Sequence, residues 1–182
     1  PVRGKGVLIG LIDSGVDIFH PHFFRADGKY HAWIDKDKDG VFTPCVDAVD
    51  LDGDGKTGDK ETLCCLQSRL YDMAQAKPFD PSTPAPSACR AGTDYLYNDT
   101  NANNERDYGP KKGYKESDPT YGEPLYVIDD INRNGKLDVG EKIVALKTSK
   151  FRATYVNGIE RVRGKDLIMT FVDADPYSYV SP

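Results

Sequence analysis

Apolar residues are concentrated towards the two ends of the chain, and their spacing predicts mainly β-strands there. Near the N-terminus, the apolar run within residues 6–13 has the length of one buried strand. Tyr30–Ile34 is an alternating, aromatic segment, which is typical of a strand. Strand-like segments return after position 122, at residues 125–128, 143–147, 151–156, 159–162 and 167–172. Asn157-Gly158, between two of these segments, is a strong signal for a two-residue hairpin.

The middle of the chain, residues 35–122, is polar and rich in Pro, Asn, Asp and Gly. Four apolar residues recur there at helical spacing and predict an amphipathic helix over residues 60–76. They are Leu63, Leu66, Leu70 and Met73. The run at 94–113 is predicted to be ordered loop at best. So long a connection is uncommon inside a compact domain, so we interpret the middle as an insertion. The predicted parts are residues 1–34, 35–122 and 123–182.

Composition narrows the classes of partner. The net charge of -5 and the pI near 5.2 argue against binding of a nucleic-acid backbone, which requires a basic face. No apolar stretch approaches the roughly 18 residues of a membrane-spanning helix. The acidic residues are gathered in short Asp-rich runs, which favours cations as partners.

The chain has four cysteines, Cys45, Cys64, Cys65 and Cys89, all in the polar middle part. Their spacing lacks the Cys-x-x-Cys pairs that are typical of a zinc site. An even number in a loop-rich chain favours two disulfides and an oxidising, extracellular compartment, with the protein secreted or at the cell surface. A bond between the adjacent Cys64 and Cys65 would be strained. We therefore expect Cys45 and Cys89 each to pair with one of these two.

Three acidic segments have the form of calcium-binding loops, in which oxygen ligands alternate and a glycine makes a sharp turn. Residues 130–141 fit the whole twelve-residue EF-hand loop. Residues 50–61 also fit, although Thr57 and Gly58 depart from the pattern at positions 8 and 9. The predicted ligands in these two loops are Asp50, Asp52, Asp54, Lys56, Glu61, Asp130, Asn132, Asn134, Lys136, Asp138 and Glu141, with the lysines at the carbonyl position 7.

The third segment, residues 35–40, has only the front half of the pattern. Its predicted ligands are Asp35, Asp37, Asp39 and the carbonyl of Val41. Val46 stands where a glutamate should close the loop, so either Asp47 reaches in or the site is weak. None of the three segments has paired helices on its flanks, which favours structural calcium over a switch. The alternative is a solvated acidic loop without metal.

Asp13 follows the first apolar run and precedes the break at Ser14-Gly15. A carboxylate at the carboxyl end of a buried strand is a candidate catalytic residue, although it can equally cap the following turn. The stretch from Ile12 to Asp17, with His20-Pro21 and an aromatic residue after it, closely resembles the segment around the catalytic aspartate of subtilisin-like serine proteases.

The resemblance implies an α/β fold with part of a subtilisin-like parallel sheet, to which residues 1–34 and 123–182 belong. It also implies that Asp13 orients a catalytic histidine during peptide-bond hydrolysis. The histidine and serine segments of the family are absent, so the remainder of the protease chain and a protein or peptide substrate are expected partners. The fragment alone should be inactive. The alternative function is a non-catalytic calcium-binding module for adhesion or assembly.

Overall fold

Six short strands form the centre of the structure and close into an antiparallel barrel. The computed structural model describes residues 20–66, 71–72, 77–78, 88–109, 112–115, 117–150, 153–156 and 159–162. The strands, in chain order, are β1 (Tyr30–Ile34), β2 (Ala48–Asp50), β3 (Thr62–Leu66), β4 (Tyr71–Asp72), β5 (Lys77–Pro78), β6 (Tyr95–Asp99), β7 (Leu125–Asp129), β8 (Lys142–Ala145), β9 (Ala153–Val156) and β10 (Ile159–Val162). The barrel order is β1-β2-β3-β6-β7-β8, and it closes because β8 pairs with β1. The remaining strands form the two-stranded ribbons β4–β5 and β9–β10.

Alternation of side chains along each strand gives the barrel one inward face. All six strands contribute to one buried cluster: Trp33, Val49, Leu63, Cys65, Leu96, Tyr126, Ile128 and Ile143. Trp33 is a packing residue of this cluster and is only 9% exposed. Its indole N–H donates a hydrogen bond to the carbonyl oxygen of Asp138 at 3.1 Å, which ties the core to the loop between β7 and β8.

A second buried cluster covers the opposite face of β3, β6 and β7: Phe24, Cys64, Leu66, Tyr97, Tyr121, Leu125 and Leu146. Strand β3 is therefore buried on both faces. This explains why its sequence, Thr-Leu-Cys-Cys-Leu, shows no alternation of apolar and polar residues.

The helix predicted over residues 60–76 is wrong, because the structure has β3 and β4 in this range. Leu63 and Leu66 lie in different clusters on opposite faces of β3, rather than on one face of a helix. Adjacent residues of a strand point in opposite directions. Cys64 and Cys65 can therefore form disulfides with partners on the two sides of the sheet. This requirement favours a strand over the predicted helix. The expected loop at 94–113 likewise contains a strand, β6.

The expected α/β fold with a subtilisin-like parallel sheet is also wrong. Every strand pair in the structure is antiparallel, and the described residues contain no α-helix. Strand β1 has its predicted bounds, and β7 and β8 overlap the predicted strands closely. Ile159 pairs with Val156, as the predicted hairpin requires. The strands predicted at 6–13 and 167–172 lie outside the described residues.

The barrel places its loops at two ends, because successive strands run in opposite directions. The β1–β2 loop (residues 35–47) and the β7–β8 loop (residues 130–141) lie at one end, where Val41 and Asp138 form an isolated bridge. The β2–β3 loop (residues 50–61) lies at the other end with the start of the β6–β7 connection. There the side-chain amide of Asn98 donates to the carbonyl oxygens of Lys60 and Thr62, at 2.8 and 3.1 Å.

Candidate metal-binding loops

The β7–β8 loop curls around the side chain of its first residue. The two carboxylate oxygens of Asp130 accept hydrogen bonds from the N–H groups of Asn134 and Gly135, at 3.0 and 2.8 Å. Gly135 has φ of 82°, the left-handed conformation for which glycine is preferred at this turn. Glu141 closes the loop, since its two oxygens accept from the N–H groups of Ile131 (2.9 Å) and Asp138 (3.0 Å).

The β2–β3 loop repeats this arrangement. Asp50 accepts from the N–H groups of Gly53 and Gly55, and Glu61 accepts from those of Leu51 (3.0 Å) and Gly58 (2.5 Å). Gly58 departs from the sequence pattern because it has no side-chain oxygen. A Cβ at this position would lie 2.9 Å from the Oε2 atom of Glu61, so a side chain here would require the closing carboxylate to shift.

The β1–β2 loop has the same geometry with a different closing residue. Asp35 accepts from the N–H groups of Lys38 and Gly40, at 2.6 and 2.8 Å. The sequence left open whether Asp47 takes the place of the closing glutamate. In the structure, its side chain occupies the closing position of this loop. Its two oxygens accept from the N–H groups of Lys36 (2.9 Å) and Thr43 (2.7 Å). Asp47 comes one position later in the chain than the glutamates of the other loops.

The three loops therefore share one construction. In each, the closing carboxylate accepts from the N–H groups of the second and ninth loop residues, and it is at most 7% exposed. The seventh residue is the one whose carbonyl would be a ligand. Its N–H group donates to the side chain of the fifth, in the pairs Val41–Asp39, Lys56–Asp54 and Lys136–Asn134. These hydrogen bonds hold the predicted ligand residues of each loop within one compact turn.

Negative charge is crowded in two of these loops. The ligand atoms of Asp35, Asp37 and Asp39 lie within 4.8 Å of one another, and so do those of the second trio, Asp50, Asp52 and Asp54. Burial raises the pKa of the closing Asp47, and the charges of Asp35 and Asp39 raise it further. The N–H groups of Thr43 and Lys36 lower this pKa, but they do not outweigh the other effects. Because like charges at this distance repel, a cation would favour the folded loops.

A fourth loop of the same kind begins at the end of β6, and it does not match the twelve-residue sequence pattern. Asp99 accepts from the N–H groups of Asn103 and Asn104, at 3.2 and 2.7 Å. Asn104 has φ of 61° and replaces the glycine of the other loops, since asparagine tolerates this conformation. The closing residue is Glu123. Its oxygens accept from the N–H groups of Thr100 (2.7 Å) and Asp107 (2.9 Å), the second and ninth residues counted from Asp99.

This fourth loop, here called the β6–β7 loop, was hidden because Glu123 follows Asp107 by sixteen residues. A twelve-residue pattern cannot detect so distant a closing residue. The signal that was available is the alternation of Asp99, Asn101 and Asn103, followed by Asp107 at the ninth position. Asn98-Asp99-Thr100 fits the pattern of a glycosylation site, but its aspartate is the first residue of this loop.

The β6–β7 loop differs from the other three in the recorded ion pair that one of its carboxylates forms. The ammonium group of Lys112 lies 2.6 Å from the Oδ1 atom of Asp107. Arg106 is buried and donates to the carbonyl oxygens of Thr120 and Glu123, at 2.8 and 3.3 Å. Burial alone would raise the pKa of Asp107, but Lys112 and Asn101 outweigh it and hold that pKa below its ordinary value.

The cysteines form the disulfides Cys45–Cys64 and Cys65–Cys89, which confirms the expected pairing of Cys45 and Cys89 with the two central cysteines. Cys65 and Cys89 lie close to Asp94, but their sulfur atoms are bonded to each other and are not free metal ligands. The bonds attach β3 to the end of the β1–β2 loop and to the segment before β6. Two disulfides are compatible with an extracellular location.

Asp13, the predicted catalytic residue, lies outside the described residues, so its role and the predicted peptidase activity stay predictions.

Within the described ranges, no helix has the length and apolar character needed to cross a bilayer.

Comparison with known proteins identified no relative of this chain. No family model, no curated protein and no solved structure matches the chain. The resemblance of the segment around Asp13 to subtilisin-like proteases is thus contradicted by an antiparallel barrel in place of their α/β fold, and no family match supports it.

Proposed function

We propose that this protein is a calcium-stabilised β-barrel module that holds one Ca²⁺ in each of the β1–β2, β2–β3 and β7–β8 loops. One observation carries the proposal. In each loop a buried carboxylate, Asp47, Glu61 or Glu141, is fixed by two N–H groups beneath a turn that carries alternating side-chain oxygens. Together these groups offer the multiple hard oxygen ligands that calcium requires.

The chemistry of the donors favours calcium among the common metals. The loops offer carboxylate, amide and carbonyl oxygens, and no histidine or cysteine is present in the predicted ligand sets. Nitrogen and sulfur donors are the ones that select zinc or copper, whereas oxygen donors suit calcium and magnesium. A flexible loop with six or more oxygens favours calcium, because magnesium requires near-ideal octahedral geometry and retains several waters.

The position of the loops favours a structural ion. Each loop joins two neighbouring strands of a closed barrel, and the described residues contain no helix pair that calcium could open. A bound ion would therefore lock strand ends together, at both ends of the barrel. We propose a secreted or cell-surface protein, where weak extracellular calcium sites suffice, with a non-catalytic role in adhesion or assembly.

Calorimetric titration of the full chain after chelation tests the proposal. We expect three Ca²⁺ ions to bind and a higher melting temperature in calcium than in chelator, because the ions bind only the folded loops. Magnesium at the same concentration should have a much smaller effect. Asp35→Asn, Asp50→Asn and Asp130→Asn should each weaken one site, whereas Asp59→Asn, an exposed residue of the β2–β3 loop outside the ligand set, should weaken none. No binding heat together with an unchanged melting temperature would refute the proposal.

A further inference from the structure

The β6–β7 loop has the same hydrogen-bond construction as the other three, but its charged side chains are paired differently. The carboxylates that take part in this construction are Asp99, Asp107 and Glu123. Lys112 forms an ion pair with Asp107, and Arg106 donates to a backbone carbonyl oxygen of the loop. Among the described residues, no recorded ion pair joins a lysine or arginine to the acidic residues of the other three loops. The other three loops also contain basic residues, such as Lys38, Lys56 and Lys136, so the difference lies in the ion pairing and not in the presence of positive charge.

Each cation contacts a different part of the loop. Lys112 binds the ninth residue, Asp107, from the solvent side, because its side chain is 50% exposed while that of Asp107 is 11% exposed. Arg106 lies at the eighth position, where the β1–β2 and β7–β8 loops have the core residues Phe42 and Leu137. Its guanidinium donates to the carbonyl oxygen of Glu123 and so fixes the segment that carries the closing carboxylate.

We infer that the β6–β7 loop is held in its folded geometry by Lys112 and Arg106, and that it keeps this geometry without calcium. In this loop a lysine is paired with the ninth residue and an arginine holds the closing segment, whereas a divalent ion would hold the other three loops. One loop of the barrel would then stay folded with or without calcium, and it lies at the same end as the β2–β3 loop. Asn98 connects this loop to the β2–β3 loop, because its side-chain amide donates to the carbonyl oxygens of Lys60 and Thr62.

Amide hydrogen exchange of the full chain, in calcium and in chelator, tests this inference. The reporter amides are those whose N–H groups bind the first carboxylate of each loop: Asn104 for the β6–β7 loop, and Gly40, Gly53 and Gly135 for the others. In chelator, Gly40, Gly53 and Gly135 should exchange at least about tenfold faster than in calcium, whereas the rate of Asn104 should not change.

A lysine substitution supplies the second arm. Lys112→Met keeps most of the aliphatic side chain and removes the ammonium group, so Asn104 and Asp107 should exchange about fivefold faster in chelator. Lys115→Met is the matched control, because Lys115 is exposed and close in sequence, and it should change neither rate. Arg106 is not substituted, since loss of a buried guanidinium could unfold the chain.

The outcomes separate this inference from the proposed function on which it partly rests. If Asn104 loses protection in chelator together with the three glycines, or if Lys112→Met has no more effect than Lys115→Met, the inference is overturned. If the glycines do not respond to calcium, the proposed function fails, and the comparison of the two lysine variants still decides the role of Lys112.

Discussion

Replacement of Asp54 by asparagine should move the stability of the metal-free and calcium-bound protein in opposite directions. Asp54 is an exposed member of the trio whose ligand atoms lie within 4.8 Å of one another. Its Oδ1 atom accepts from the N–H group of Lys56 at 2.7 Å, and the amide oxygen of asparagine can keep this bond. The substitution therefore removes one negative charge and leaves the turn intact.

The expected magnitude follows from the separation of the charges. Two unit charges 4.8 Å apart repel by about 0.9 kcal/mol in water, and by about 0.5 kcal/mol at 0.1 M salt. Asp54→Asn removes two of the three repulsive pairs in its trio, so the metal-free protein should gain about 1 kcal/mol. For a chain of this size, that corresponds to a rise in melting temperature of about 2–4 °C in chelator.

In calcium the same substitution should be unfavourable. Loss of one charged ligand should lower the affinity of the β2–β3 loop about tenfold, which corresponds to about 1.4 kcal/mol. The calcium-induced rise in melting temperature should therefore be about 3–6 °C smaller than in the unsubstituted protein.

Thermal melting followed by circular dichroism, in chelator and in millimolar calcium, measures both effects. Asp59→Asn is the control, because it removes the same charge from the same loop outside the ligand trio, and it should leave the calcium-induced rise unchanged. If Asp54→Asn lowers the melting temperature in chelator, or if the two variants behave alike, the reasoning is refuted.

Three further predictions concern other parts of the molecule. Gly122→Ala should destabilise the protein by about 1–3 kcal/mol in urea unfolding, because a Cβ there would lie 2.5 Å from the carbonyl oxygen of Asp107; an unchanged midpoint would contradict the packing around Glu123. The double substitution Cys65→Ala/Cys89→Ala should cost about 3 kcal/mol in the same assay, since the bond closes a loop with a sequence separation of 24, and a loss below 1 kcal/mol would count against this. The stabilising effect of the Lys112–Asp107 pair should depend on pH at both extremes. The pKa of Asp107 is lowered in the folded state, so its contribution is lost as the pH falls through that pKa; the pKa of Lys112 is raised, so its contribution is lost as the pH rises through that pKa. The stability difference from Lys112→Met should therefore be constant near neutral pH and vanish in acid and in strong alkali, and a difference that persists unchanged at either extreme would argue against the pair.

The sequence determined features that depend on neighbouring residues. The bounds of β1 and the start of β7 were predictable, because alternation of side chains along a strand is a local property. The alternating oxygens and the turn glycine of residues 50–61 and 130–141 were visible for the same reason. The disulfide pairing could be narrowed because adjacent Cys64 and Cys65 are poor partners for each other.

Tertiary structure decided the features that join distant parts of the chain. Strand β3 resembles a helical segment because it is buried on both faces, and only the surrounding barrel supplies those two faces. The barrel itself depends on the pairing of β1 with β8, which no local pattern specifies. Glu123 closes a loop that begins at Asp99 because β6 and β7 are neighbouring strands, which bring the two residues together. Local spacing encodes which residues can form such a loop, whereas strand pairing in the folded barrel selects the carboxylate that completes it.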